Sequence, residues 1–475
     1  MSTAPAGAPT PPAGTPPAHT DQPNWSGYTR VALIMAVVGW VLFAVVGFAN
    51  IGAAEGDVAK HDSKSRFMVA YLSGFTYWLS LPVGALALLM IRYVAKTSWG
   101  LLLTRPLEAA TRTLPLTVVL FVPIVIAVAT HDLSPYWWSQ PDHAAAHDTH
   151  DVKNEASDDP GNKRQQADKI GKLHLNKAIT DRQEAERKER DENIYGYLSL
   201  PGFLVNSAIV FGVWGTLIFF LNKWGKETSD SKDPRVVDRG LIKLQNISGP
   251  GLILFAIFTT SAATQWTMSL EPGWSSTMFP VIFAVNTFLT TLTFGVALFL
   301  LIADKPPFKG FMRPKFQLDM ATLMLVFTLF WSYTSFSQFM LVWIGNLPEE
   351  IPFFLKRSNE HGNRSFWWFV SAALIALHFA LPFVLLLFRS IKLHPKRLRC
   401  VALYLMVICA VDVIWWVAPS APVHNSFPTY LMDVGAVLGV GGIWLLYFVY
   451  QLKQRDIFPD NQAFLLPEGH HHEQH

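Results

Sequence analysis

From residue 31 onward, long apolar runs alternate with short polar stretches, and this alternation dominates the 475-residue chain. Ten runs approach or exceed the roughly 18 residues that cross a bilayer as a helix. They lie near 31–51, 67–91, 115–129, 198–222, 250–270, 278–303, 320–345, 366–388, 399–418 and 428–450. The third is short for a crossing and gains length from "TRTL" before it and "ATH" after it. Residues 101–113, "LLLTRPLEAATRT", read as an interfacial amphipathic helix. The predicted fold is all-α and integral to a membrane. "VGALALL" (83–89) in span 2 resembles "FGVALFL" (294–300) in span 6. If that echo is a repeat, spans 2–5 and 6–9 form two four-helix bundles flanked by spans 1 and 10.

Polar segments divide the rest. Residues 1–29, rich in Pro, Ala and Thr, read as a disordered tail and not as a signal peptide, since no basic stretch precedes an early apolar core. Residues 30–452 hold the spans, with a long insertion at 131–197, and 453–475 form a His-rich tail. Most Lys and Arg of the short loops fall on the side of the two termini. The opposite short loops carry only Lys60, Lys64, Arg66, Lys356, Arg357 and Arg364. The bias predicts cytoplasmic termini and a periplasmic insertion.

Composition narrows the chemistry. Hydrophobic residues make up 51% of the chain and charged ones 15%, which excludes an ordinary soluble domain and nucleic-acid binding. The two cysteines, Cys400 and Cys409, share one span, so this chain alone holds neither an iron–sulfur cluster nor a c-type haem. His143, His147 and His150, like the terminal "GHHHEQH", lack the cysteines or fixed spacing of a metal site and read as solvated segments. No metal and no cofactor is expected in this chain.

Ionisable groups within the spans are the first functional candidates, because placing one in hydrocarbon costs a few kcal/mol or more. His378 lies near the middle of span 8, with Asp412 and Asp433 near the same depth in spans 9 and 10. The short connection between those spans makes the two aspartates candidate neighbours, with His424 in the loop above. Desolvation favours the neutral form of a carboxyl group, which suits a proton relay; a single interhelical hydrogen bond is the plain alternative. In span 7, Tyr333 with Ser337 and Thr334 with Gln338 are i,i+4 pairs, fit either to carry a water chain or to join helices. Only one histidine lies well inside, which argues against a bis-histidine haem.

Span 7 ends in "FSQFMLVWIGNLPEEIPFF" (336–354), where two adjacent carboxylates meet water. That stretch belongs to "WSYTSFSQFMLVWIGNLPEEIPFFLKR" (331–357), which together with "LHFALPFVLLLFRSIK" (377–392), "VDVIWWVAP" (411–419) and "SGPGLILFAIFTTSAATQWTMSLEPGWSSTMF" (248–279) resembles the F subunit of bacterial alternative complex III. That complex is a quinol:cytochrome c or quinol:oxidase oxidoreductase, and the subunit is similar to NrfD/polysulfide-reductase membrane subunits. The likeness covers spans 4 to 9. It implies ten helices in two four-helix bundles, in the bacterial inner membrane. It also implies partners: an NrfD-like sister subunit, an iron–sulfur subunit, pentahaem and monohaem cytochrome c subunits and a terminal oxidase, with haem c and clusters in those partners and menaquinol or another quinol near this one. Glu349, Glu350, Glu271, His131, Asp132 and His424 are then candidates for subunit docking or periplasmic proton exit. The family usually has Asp-Trp where this chain has Gln265-Trp266, which removes an ionisable group.

Three functions follow as expectations: a cofactor-free, non-catalytic or quinol-interacting subunit of a respiratory complex; a secondary transporter, for which Pro82, Pro201 and Pro382 would mark broken helices; and a structural scaffold.

Overall fold

The computed structural model describes residues 25–96, 100–139, 196–231, 233–303, 314–347, 350–360, 363–421 and 427–455. The His-rich patch of the insertion and the terminal tail lie outside them. The helices are α1 (Ser26–Ala53), α2 (Asp57–Ala95), α3 (Gly100–Thr111), α4 (Leu114–Thr130), α5 (Leu200–Asp230), α6 (Pro234–Trp266), α7 (Phe279–Ile302), α8 (Pro314–Gly345), α9 (Ile351–Ser358), α10 (Phe366–Leu374), α11 (Leu381–Leu387), α12 (Arg389–Lys392), α13 (Pro395–Val417) and α14 (Phe427–Lys453). Asn359–Glu360 and Asn363–Arg364 form a minimal antiparallel pair. Among the described residues, ten helices are long and apolar enough to cross a membrane, as the apolar runs predict. An even number of crossings brings the chain back to its starting side, here the terminal face; the other is the far face.

Helices α2 and α7 are buried over almost their whole apolar length, and the other spans pack around them. Pairs within spans 2–5 pack together (α2 with α4 and α6, α4 with α5, α5 with α6), as do pairs within spans 6–9 (α7 with α8 and α13, α8 with α11). Packing also runs across that division, between α2 and α7, α2 and α13, and α6 and α7. Spans 1 and 10 do more than flank the rest: α1 and α14 lie along each other, and α14 also rests on α2.

One expectation changes. The stretch at 101–113 does not lie flat on the interface. Leu103, Arg105, Leu107 and Glu108 are buried, and α3 packs on α2, α7 and α14. It joins α4 in one span, Leu103–Thr130. Its charged residues tolerate burial because Arg105 donates to Glu108 (2.8 Å) and to Ser229 Oγ (2.7 Å).

Candidate functional site

The strongest site lies where α7, α8, α13 and the break between α10 and α11 converge. Pro382 causes the break. A proline has no N–H for the carbonyl four residues earlier, which here belongs to His378, and its ring crowds that carbonyl. The chain answers with one π-helical turn, Ile375–Ala380, a distortion that recurs at functional sites. Tyr404, on α13, donates its hydroxyl to the Leu377 carbonyl in that turn at 2.6 Å. His378 is therefore presented inward and is fully buried.

Asp412 on α13 is equally buried, five residues before the end of its helix, about 7–8 Å of rise. Its Oδ2 accepts from Asn286 Nδ2 at 2.6 Å and from Trp331 Nε1 at 2.8 Å. Thr290 donates to Asn286 Oδ1 at 2.9 Å, which aims the amide NH2 at the carboxylate. His378 Nδ1 stands 3.9 Å from Asp412 Oδ2 and, buried, carries no hydrogen bond among the described residues. Its ring stacks on Trp331, centroids 3.8 Å apart, and its Nε2 is 3.6 Å from Cys409 Sγ. Val285, Leu374 and Ile408 close an apolar shell around this cluster. Two titratable side chains thus face each other within about an ångström of hydrogen-bonding distance.

Asp433 is not a neighbour in this site. Helices α13 and α14 do not pack along each other. Asp433 instead takes Arg66 in a bidentate pair, Nη1–Oδ1 3.0 Å and Nη2–Oδ2 2.5 Å, with Arg66 Nη2 also donating to the Thr429 carbonyl at 3.2 Å. Both side chains are buried, and the carboxylate is engaged on both oxygens. Span 7 divides as its periodicity dictates. Thr334 is buried and bonds back to the Phe330 and Trp331 carbonyls, and Gln338 accepts from Ser276 Oγ at 2.6 Å. Tyr333 is 67% exposed on the outer face, so the Tyr333–Ser337 pair does not join the buried cluster.

Glu271, a docking or proton-exit candidate, is engaged within the chain. It is buried at the far face between Lys356 (2.6 Å), Arg357 (3.3 Å) and Ser420 Oγ (2.9 Å). Arg357 also donates to the Trp415 and Trp416 carbonyls at 3.1 and 2.7 Å, which caps the carbonyl end of α13. Burial pulls its guanidinium down to about 10, against the opposing pull of Glu271, so it remains charged at neutral pH. Asp132 pairs with Lys64 at 2.6 Å on the exposed far face, and His131 Nδ1 contacts the Ser139 carbonyl. Glu350 sits in the turn before α9, partly exposed. Glu349 and His424 lie outside the described residues. Pro201 sits in the first turn of α5 and breaks nothing, so of the three prolines only Pro82 and Pro382 lie in the interior of a span.

Gln265 is fully buried in a neutral network. Its Oε1 accepts from Asn206 Nδ2 at 2.8 Å, and its Nε2 donates to the Tyr197 carbonyl at 3.0 Å. An aspartate could accept but could not donate there. No group of three or more His, Cys, Asp or Glu side chains arranged to hold a metal occurs among the described residues.

Fold and site together define an α-helical protein with ten helices able to span a membrane and a buried acid–histidine cluster in its interior. No protein-family model matches the chain, and no curated protein matches it.

Proposed function

We propose that the chain is an integral subunit of a respiratory quinol:electron-acceptor oxidoreductase of the alternative complex III type, and that its Asp412–His378 cluster passes protons through the span region. The resemblance of residues 248–279, 331–357, 377–392 and 411–419 supports the assembly. The proton role rests on one observation: His378 Nδ1, unpartnered and buried, faces a buried carboxylate at 3.9 Å across a π-helical turn. Sister NrfD-like, iron–sulfur and cytochrome c subunits would hold the redox centres, and a quinol would meet the complex beside this chain. Spans 2–5 and 6–9 would form two related four-helix groups; the close approach of Gly84 on α2 to Thr291 on α7, positions beside the two echoing segments, fits a shared central seam.

Cytoplasmic termini in a bacterial inner membrane belong to the same reading. Of the six far-face cations, Arg66 pairs with Asp433, Lys64 with Asp132, and Lys356 and Arg357 share Glu271. The orientation is supported by the count of Lys and Arg in the short loops, which acidic partners change little.

Asp412→Asn tests the relay. The variant keeps the shape and can still accept from Asn286 and Trp331, but it no longer titrates. The expected result is normal assembly and haem content, with quinol oxidation or its coupling to proton movement reduced on the order of 10²-fold. A second reading, favoured by the two short bonds to Asp412, makes it an interhelical pin. That role predicts a nearly silent Asp412→Asn and an Asp412→Leu that fails to assemble. Full turnover and full proton yield in an assembled Asn variant end the relay.

A further inference from the structure

A second polar cluster closes the terminal face, and among the described residues its charges do not balance. Glu108 Oε2 receives both Arg105 Nη1 (2.8 Å) and Arg455 Nη1 (3.3 Å), so one carboxylate serves two guanidinium groups. Among the described residues, Arg455 otherwise meets neutral groups, the Asn222 side-chain and main-chain oxygens at 3.5 and 3.4 Å. Among the same residues Arg112 meets neutral oxygens, donating Nη2 to the Gln451 carbonyl at 2.7 Å and Nε to Gln451 Oε1 at 3.3 Å. Its Nη1 is buried with no hydrogen-bond partner among them. Three guanidinium groups thus surround one carboxylate. Guanidinium groups withdrawn from water call for an anion, and a phosphate suits them because its oxygens match the bidentate fork.

Position selects the carrier of that phosphate. Arg112 stands between α3 and α4, where the α4 crossing begins, and Gln451 and Arg455 stand where α14 ends. Gln451 and Arg455 bracket the end of the Thr429–Lys453 span, and the bonds of Arg112 to Gln451 bring it to that end, where an anionic headgroup would sit beside the span. Arg112 is partly exposed and the Arg455 side chain is 19% exposed, so the cluster keeps an open edge. Exposed Val119, Val122 and Ile126 descend α4 away from that edge, an apolar track for an acyl chain. Basic pockets between spans at this level suit anionic lipids.

We propose that Arg112 and Arg455, backed by Arg105, bind the phosphate of an anionic phospholipid at the terminal face. The site is separate from the Asp412 cluster and does not depend on the proton role.

The full-length protein in detergent, titrated with phosphatidylglycerol, phosphatidylcholine or inorganic phosphate, tests it, with retained lipid read by native mass spectrometry and stability by thermal unfolding. Phosphatidylglycerol should be retained and should raise the unfolding temperature, while phosphatidylcholine should do neither. R455Q and R112Q should each weaken retention about fivefold, and the double variant should bind the two lipids alike. R455Q removes a partly exposed group, and its helix content by circular dichroism guards against misfolding as the cause. Equal retention of the two lipids by the wild type, or undiminished retention by a folded R455Q and double variant, overturns the site. A full stabilising effect from inorganic phosphate alone overturns the lipid assignment and leaves an adventitious ion only.

Discussion

Asp412 and Asp433 look alike in sequence, each a lone acid a few residues inside a span, yet their surroundings separate them. Asp433 meets a guanidinium on both oxygens. Asp412 meets neutral N–H groups and a histidine. Removing one member of a buried pair strands the other's charge and costs about 3–5 kcal/mol, whereas replacing both with apolar groups is often near neutral. Asp433→Leu or Arg66→Leu alone should therefore destabilise the protein strongly, and the double variant should recover most of the loss, read as folded yield and unfolding temperature in detergent. A double variant no better than either single one would show that the pair is not the clamp between α2 and α14. The sequence marked Asp412 and His378 because ionisable groups in apolar runs stand out. It did not reveal Asn286 and Trp331, which lie 126 and 81 positions from Asp412 in sequence and look like ordinary span residues. Arg66 was legible only as a loop charge, although its depth in span 2 roughly matches that of Asp433 in span 10.

At the scale of elements, apolar runs and turn residues were sufficient to place ten helices, while their pairing was not. The seam between spans 1 and 10 did carry an unread signal. Ala32, Ala36, Gly39 and Gly47 form a stripe of small buried residues on α1, and Gly435, Gly439 and Gly442 face it from α14. In membranes such stripes let backbones approach closely. The approach here is close enough that a Cβ at Gly39 would stand 2.1 Å from the Gly439 nitrogen, and one at Gly442 2.2 Å from that of Ala36. Backbone cannot step aside as a flexible side chain can, so even Gly39→Ala should force the helices apart, at a cost of about 1–3 kcal/mol. A disulfide or reporter-pair assay across the seam should register the separation, with Gly52→Ala, at an open position, as the silent control. Equal behaviour of the two variants would contradict the packing. The π-helical turn follows the same logic: Pro382 was visible, but its consequence for a histidine four residues earlier follows only from the hydrogen-bond ladder.

For the whole molecule, the two faces are closed by different chemistry, and this bears on orientation. At the far face, Asp132 and Asp433 each pair with one cation and Glu271 is shared by two, so three carboxylates engage four cations. At the terminal face Arg105 and Arg455 share Glu108, and Arg112 meets the neutral oxygens of Gln451 among the described residues. Cations that resist translocation keep their side of the membrane cytoplasmic. Two expectations follow, and they are separable. The even number of crossings requires reporters fused before Ser26 and after Lys453 to lie on one side, and a reporter at the Trp137–Ser139 turn to lie on the other. The Lys and Arg bias of the short loops predicts that the shared side of the termini is cytoplasmic. A reporter active in the cytoplasm at both ends and in the periplasm at the insertion meets both expectations. Termini that read as periplasmic together would keep the ten-span path and reverse the orientation. Termini on opposite sides would remove one crossing, and the span to re-examine first would be Leu103–Thr130, whose helix is interrupted between Thr111 and Leu114.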